Sequence, residues 1–195
     1  MMRLMIPFLC ACLLAWSCQN NNGHDHAAHL HGEHESPAAN TDTIKGSPQR
    51  SAMANIGPVH IHLEYSSPGV RGRIIWGGLV PFGEVWVTGA HNATSIQFYD
   101  QVKIAGKVVP KGKYAFFTIP DSSEWTLILN RNWDQHLVDE YDAKDDILRL
   151  KVKPDTLSTV QERLLYKVLA DNERQGKIEM HWEKLKLSLP VELKE

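Results

Sequence analysis

Apolar and polar residues alternate with a period of two along much of the C-terminal part of this chain. The clearest run covers residues 59–65, and similar runs cover 94–98, 114–118, 125–129, 147–152, 178–182 and 185–191. Because successive side chains of a strand point to opposite faces, this pattern indicates β-strands. Turn-forming residues separate the runs about every ten residues. The sequence therefore predicts an all-β fold, an antiparallel β-sandwich or a jelly-roll-like single domain.

Two of these segments need separate interpretation. The run at 114–118 is apolar on both faces, which predicts a strand that is buried on both sides. The segment 158–170 is compatible with a capped helix, because Ser158 precedes Glu162 and leucines recur at helical spacing. It also alternates as a strand would, and strands are predicted on both sides of it, so we predict a strand here.

The N-terminal end carries an export signal. A basic residue, Arg3, precedes a short apolar run, and the chain becomes polar directly after Cys18. Residues 15–18, Ala-Trp-Ser-Cys, resemble a bacterial lipobox, in which cleavage leaves the cysteine as a lipidated first residue. We predict a signal peptide over 1–17, lipidation of Cys18, and a protein anchored in the outer membrane of a Gram-negative cell envelope. The alternative is an ordinary secretory signal whose cysteine is incidental.

Residues 18–57 are predicted to form a flexible, disordered linker, because they contain too few large aliphatic side chains to form a core. A histidine-rich tract lies within this linker. Imidazoles at such short spacing on a flexible chain can wrap a copper or zinc ion. The alternative is a solubilising tether in which the histidines bind nothing. The tract consists of His24, His26, His29, His31 and His34.

The remaining residues, 58–195, are sufficient for one domain with a sizeable core. The whole chain has a formal net charge of −2 and no basic cluster. This charge balance argues against nucleic acid as a partner. The expected partners are the membrane, through the lipid anchor, and a small molecule, glycan or protein that the sequence does not identify.

Several blocks between Tyr65 and Glu183 resemble the bacterial family catalogued as domain of unknown function 2911. The resemblance implies an exported, often lipid-anchored β-rich domain and brings no established activity or ligand. Val87 stands where the family usually has Arg, and His91 where it usually has Asn. If those positions contact a ligand in relatives, this member would bind a different one. The blocks that carry the resemblance are 65–68, 72–83, 85–90, 93–94, 106–107, 110–115, 117–120, 124–126 and Asn130.

The block 69–89 contains the first candidate binding residues, Arg73, Trp76 and Trp86. They lie among six glycines, which leave large rings beside bare backbone. The tryptophans would then be either core residues or an open platform for a flat ligand. We expect Trp86 to be structural and Trp76 to be partly accessible. Arg73 is the stronger functional candidate, because a guanidinium in an apolar stretch needs a partner.

The polar stretch 130–146 is the second candidate region. A loop of this length in a compact domain is usually functional or mobile, and we predict that it forms a lid or rim, with Gln135 and Tyr141 beside the tryptophans. Its acidic residues are interpreted as solvated side chains, with a calcium site as the alternative. Those acids are Asp139, Asp142, Asp145 and Asp146.

His60, His62 and Glu64 alternate along the first predicted strand and therefore share one face. They form a second, weaker metal-site candidate, and the alternative is an ordinary solvated face. The chain contains no serine-hydrolase, zinc-protease or phosphate-loop motif. We therefore predict a binding module first, a copper- or zinc-handling lipoprotein second, and a hydrolase of unknown substrate third.

Overall fold

Residues 42–193 are described by the computed structural model, and they form ten β-strands and one short 3-10 turn at Ala143–Asp145. The predicted all-β fold is confirmed. The strands are β1 (Gln49–Ile56), β2 (Val59–Ser66), β3 (Ser95–Phe98), β4 (Val102–Ile104), β5 (Lys107–Val109), β6 (Gly112–Ile119), β7 (Trp125–Asn130), β8 (Asp146–Val152), β9 (Asp155–Ala170) and β10 (Gln175–Leu193).

The strands form two antiparallel sheets. One has six strands in the order β1-β2-β3-β6-β7-β8, and the other has four in the order β5-β4-β10-β9. Every period-two run of the sequence falls on a strand. The ambiguous segment 158–170 lies within β9, so the strand interpretation is confirmed. Among residues 42–193, no helix is long and apolar enough to span a membrane.

The predicted linker extended too far toward the C-terminus. Its last part, 49–56, is strand β1, which pairs with β2 along its whole length. The inward positions of β1 include Ala52 and Ala54, whose small side chains weaken the periodic signal. The expected boundary at 57 is the hairpin turn, where Gly57 adopts a φ of +52°. Cys18, the signal peptide and the histidine tract lie outside the described residues.

The main core lies between the facing surfaces of the two sheets. β6 shows how the sequence fills it, because Phe116 points into this core whereas its neighbour Phe117 points to the opposite face. Both rings are buried, so β6 is covered on both sides as its sequence predicts. The largest side chains of the main core that are fully buried are Trp125, Trp182, Phe98, Ile56, Ile61, Leu63, Ile96, Ile104, Leu127 and Leu129.

A second, smaller cluster lies on the outer face of the six-stranded sheet, over β6 and β7. Its buried members are Val87, Ala93, Ala115, Phe117 and Ile128. The cover comes from segment 83–94, which continues the hydrogen bonding of β6 beyond the end of β3. The backbones at positions 86 and 118 exchange hydrogen bonds of 2.8 and 3.0 Å. The outer face is thus covered at one end and open over β1 and β2.

The chain before β1 is fixed to β9 by a buried ion pair. Arg163 Nε donates to Asp42 Oδ1 at 2.9 Å, and its Nη2 lies 2.6 Å from Oδ2. Arg163 also donates to the backbone carbonyls of Ile44 and Ser67. The hydrogen bond from Arg163 lowers the pKa of the Asp42 carboxyl below its usual value. Asp42 is therefore held as a carboxylate beside β9.

Candidate functional site

A cavity of about 340 Å³ opens beside the Gly-rich segment that follows β2. The described residues of its wall combine apolar side chains with three basic ones and include no aspartate or glutamate. A volume in this range suits a small ligand. The lining residues are Gly46, Ser47, Pro68, Gly69, Arg71, Arg73, Leu79, Val80, Trp86, Val87, Gly89, Ala90, His91, Leu137 and Trp182.

Arg73 is a cation in this wall that has no acidic partner among the described residues. Its Nε donates to the Val70 carbonyl at 3.2 Å, and its Nη2 donates to the Gly69 carbonyl. Among residues 42–193 no carboxylate lies within ion-pair distance of it. A guanidinium carries five N–H donors, so most of the donors of Arg73 remain available beside the cavity. Within the part of the chain that the structure describes, the predicted need of Arg73 for a partner is met by backbone carbonyls alone.

Arg71 differs from Arg73, because its guanidinium is hydrogen-bonded to the segment that precedes β1. Its Nη2 donates to the carbonyls of Ile44 and Gly46 at 2.6 and 3.0 Å. Its Nε lies 3.8 Å from Asp42 Oδ2, and its backbone N–H donates to Glu162 at 2.8 Å. Arg71 thus fixes the cavity rim to the rest of the fold and adds positive charge beside Arg73.

A strained residue, Thr88, lies next to the part of the wall formed by Gly89, Ala90 and His91. Thr88 is fully buried with a φ of +52°, a conformation that β-branched residues rarely adopt. Its carbonyl accepts hydrogen bonds from the hydroxyls of Tyr166 at 2.7 Å and Thr94 at 2.9 Å. Burial raises the pKa of Tyr166 well above its usual value, which keeps this donor protonated. These contacts hold the following residues, Gly89 to His91, along the cavity.

Four of the tryptophans, Trp76, Trp86, Trp125 and Trp182, form one aromatic cluster. Trp76 packs edge-on against three others, with ring centroids 4.7 Å from Trp125, 5.6 Å from Trp182 and 5.8 Å from Trp86. Trp86 stacks on Trp182 at 5.6 Å and donates its indole N–H to the Gly89 carbonyl at 3.1 Å. Trp76 and Trp86 are both partly buried, yet only Trp86 lines the cavity. Trp76 is partly accessible, as expected, and Trp86 combines packing in this cluster with a place on the cavity wall.

The polar loop 130–146 does border the cavity, but not through Gln135 and Tyr141, the two residues expected to do so. Gln135 is buried and donates its amide to the Asn132 carbonyl at 2.6 Å, which stabilises the loop itself. Tyr141 packs against Phe117 on the outer face, with ring centroids 5.2 Å apart. Neither residue lines the cavity. The loop instead contributes Leu137, whose N–H donates to the His91 carbonyl at 2.8 Å.

Two acids of this loop, Asp142 and Asp146, are used in local structure. Asp146 accepts hydrogen bonds from Tyr141 at 2.8 Å and Arg149 at 2.7 Å, and Asp142 accepts one from the Lys144 backbone at 2.9 Å. Burial, followed by the hydrogen bond to Asp146, raises the pKa of Tyr141. Within residues 42–193 no group of three or more His, Cys, Asp or Glu side chains could hold a metal ion.

His60, His62 and Glu64 share the outer face of β2, as the alternation predicts, but they do not form one metal site. Glu64 accepts a hydrogen bond from Lys113 Nζ at 2.6 Å, which lowers the pKa of its carboxyl. Lys113 also lies over the ring of Trp133, 4.1 Å from its centroid. Glu64 is therefore paired with a cation, and the ring face of Trp133 is covered by one.

Comparison with known proteins gives a family. The sequence model described as "Protein of unknown function (DUF2911)" matches residues 47–191, which run from just before β1 almost to the end of β10. The chain belongs to the DUF2911 family. A search of the curated proteins and a search of the solved structures returned no match. Val87 and His91, the two positions expected from the sequence to differ from the residues usual in the DUF2911 family, both line the cavity.

Sequence reasoning missed two important parts of the cavity wall in this DUF2911 chain. Trp182 is only 1% exposed and alternates like any core residue, so its sequence position gives no sign that it borders a cavity. Leu137 lies in a loop that is mostly polar, so its sequence position did not indicate that it lines a cavity. His91 could be singled out because the sequence was expected to differ from the family at this position. Its φ of +61° is a conformation that histidine tolerates better than most residues.

Proposed function

We propose that this protein is a binding module that captures a small anionic molecule with an apolar body in the cavity beside Arg73. The observation that carries the proposal is the guanidinium of Arg73, which has no carboxylate partner within residues 42–193 and lies in a wall whose described residues include no aspartate or glutamate. A guanidinium presents paired donors that match the oxygens of a carboxylate or phosphate. An anion is therefore the complementary ligand.

The rest of the wall supports an apolar body for this ligand. Leu79, Val80 and Leu137 contribute aliphatic surface, and Trp86 and Trp182 contribute aromatic surface. Burying apolar area of the ligand against these side chains would supply most of the affinity, and the cation would fix its orientation. Because Trp86 and Trp182 stack on each other, one face of each ring is already used. This arrangement favours a small amphipathic anion over a sugar that needs an open stacking face.

Isothermal titration of the full chain in detergent tests the proposal. The probes are decanoate, naphthoate and the uncharged analogue decanol, each below its aggregation threshold. We expect a carboxylate to bind and the alcohol to bind more weakly. Arg73→Gln should lower carboxylate affinity roughly tenfold to a hundredfold, as loss of a charge-assisted hydrogen bond does. Intrinsic fluorescence should report binding as well, because two tryptophans line the cavity.

Arg131→Gln is the matched control, since Arg131 is an exposed arginine that does not line the cavity. It should leave the titration unchanged. Equal losses in the two variants would indicate a general charge effect and would overturn the assignment to Arg73. Carboxylate and alcohol affinities that are equal in the parent chain would contradict the anionic class.

We also propose that the protein acts at the cell envelope, anchored through Cys18. The support is the sequence at residues 1–18, because Cys18 would be the first residue after cleavage and the one cysteine left in the processed chain. Cys18→Ser should move the protein to the soluble fraction or block its processing. Metabolic labelling with a fatty acid measures this directly, and equal labelling of variant and parent would contradict the anchor.

A further inference from the structure

A second group of potential ligands lies on the open part of the outer face of the six-stranded sheet. His60 and His62 are alternate residues of β2, and their ring centroids are 6.4 Å apart. Met53 of β1 is the registered partner of His62. Registered residues on antiparallel strands share a face, with Cβ atoms about 4.5–5.5 Å apart. The pairing therefore brings a thioether beside two imidazoles.

Both imidazoles have a nitrogen available for a metal. The Nδ1 atom of His60 lies 2.7 Å from Asn55 Oδ1. Because a carbonyl oxygen only accepts, this contact assigns the proton to Nδ1 and leaves the lone pair on Nε2. The Nε2 atom of His62 is buried and has no hydrogen-bond partner among the described residues. A buried nitrogen without a partner is costly, and a bound ion would satisfy it.

The distances and exposure permit one shared ion. A metal bound by imidazole lies about 2 Å from the ligating nitrogen, so rings at this separation can reach a common ion. Met53 is 55% exposed and has three flexible side-chain bonds, so its sulfur can move toward both rings. Glu64 does not complete the site, because it is held by Lys113 at 2.6 Å.

We propose that Met53, His60 and His62 form a binding site for a soft monovalent metal ion, Cu(I). Thioether ligands select Cu(I), whereas zinc and calcium sites draw on thiolate, imidazole and carboxylate ligands. The site lies on β1 and β2 and shares no lining residue with the cavity of the proposed function. It therefore stands independently of the proposed anionic ligand.

The test uses the full chain in which His24, His26, His29, His31 and His34 are replaced by serine, so that the tract cannot contribute. Cu(I) is supplied anaerobically with ascorbate, and affinity is measured by competition with the chromophoric chelator bicinchoninate. We expect one Cu(I) per chain. The methyl resonance of Met53 should shift when Cu(I) is added, and Met53→Leu identifies this resonance by removing it.

Two single substitutions separate the proposed site from the alternative of two histidines with Glu64. Met53→Leu should lower Cu(I) affinity roughly 10–100-fold, the range seen when groups that support a metal site are lost, and should leave zinc affinity unchanged. Glu64→Gln should leave Cu(I) affinity unchanged. Met53 is exposed, so circular dichroism should confirm that Met53→Leu remains folded.

Three outcomes would overturn the proposal. The first is absence of Cu(I) binding in the chain without tract histidines. The second is a loss with Glu64→Gln that equals the loss with Met53→Leu. The third is Cu(I) binding that survives the double substitution His60→Gln/His62→Gln.

Discussion

The two faces of the six-stranded sheet are built from the same strands but differ in what covers them. The inner face packs against the four-stranded sheet and contributes to one continuous core. Within residues 42–193, the outer face is covered over β6 and β7 alone, by segment 83–94 and the loop that carries Tyr141. Over β1 and β2 it is open and carries imidazole, thioether and charged side chains.

This difference indicates a division of labour within one sheet. Burial of large apolar side chains on the inner face supplies most of the hydrophobic stabilisation. The open part of the outer face contributes little to burial, so polar and metal-ligating residues are tolerated there at small energetic cost. The covered part lies between these extremes, because its cover consists of loops rather than a second sheet.

The adjacent residues Phe116 and Phe117 test this division most strongly. Each ring is buried, but Phe116 faces the main core and Phe117 faces the smaller outer cluster. Phe116→Ala should cost about 4 kcal/mol, and Phe117→Ala about 3 kcal/mol, because a loop cover can collapse into a cavity more readily than a packed sheet. Chemical denaturation measures both values. A greater loss for Phe117 would contradict the proposed order of the two clusters.

Tyr141 tests how firmly the loop cover is attached. Its hydroxyl donates to Asp146 at 2.8 Å and accepts from Arg149 at 2.7 Å. Tyr141→Phe keeps the ring on Phe117 and removes these bonds, so we expect a loss of about 1 kcal/mol. Hydrogen exchange should show faster opening confined to residues 131–146. Faster exchange throughout β6 and β7 would show instead that the loop is essential to the sheet.

Glu64 tests the open part of the outer face through its pH dependence. The ion pair with Lys113 lowers the carboxyl pKa, so its stabilisation is present above the unfolded pKa and is lost as pH falls through the lower folded pKa. The pair is exposed to solvent, which limits its value to about 0.5 kcal/mol. Glu64→Gln should therefore lower stability slightly at neutral pH and not in strong acid. A loss that persists unchanged in acid would contradict this assignment.

The histidine tract gives the smallest expected effect on stability. Replacing His24, His26, His29, His31 and His34 with serine should change the free energy of unfolding by less than about 0.5 kcal/mol. The same replacement should remove most binding of zinc and Cu(II) near neutral pH. Thermal unfolding and metal titration on one preparation separate the two effects. A large fall in melting temperature without metal would show that the tract contributes to the folded domain.

The fold was largely predictable because burial imposes a clear period on most strands. β9 could be assigned although its leucines also fit a helix, since its neighbours were strands. β1 could not, because its inward residues Ala52 and Ala54 are small and the outward residue between them, Met53, is itself apolar. For such a strand, the decisive information is its pairing with β2, and pairing is not encoded in local periodicity.

The residues of the candidate sites were less predictable than the strands, because tertiary contacts decide which of them lie together. Arg73 could be identified because a guanidinium in an apolar, Gly-rich stretch is chemically unusual. Gln135 and Tyr141 were placed wrongly because the path of a long loop depends on tertiary contacts, such as the ring of Tyr141 on Phe117. Met53 carried no signal, since only the register between β1 and β2 brings it beside His62.

The ion pair between Asp42 and Arg163 has a mechanical consequence. A pulling force applied at the N-terminal end of the described chain reaches Asp42 before it reaches β1. Without that pair, the load would fall on the edge strand β1, whose hydrogen bonds to β2 would break one after another from one end. Arg163 instead transmits the load to β9 in the other sheet. The ion pair between Asp42 and Arg163 thus protects the β1–β2 hairpin from being pulled apart by tension on the N-terminal segment.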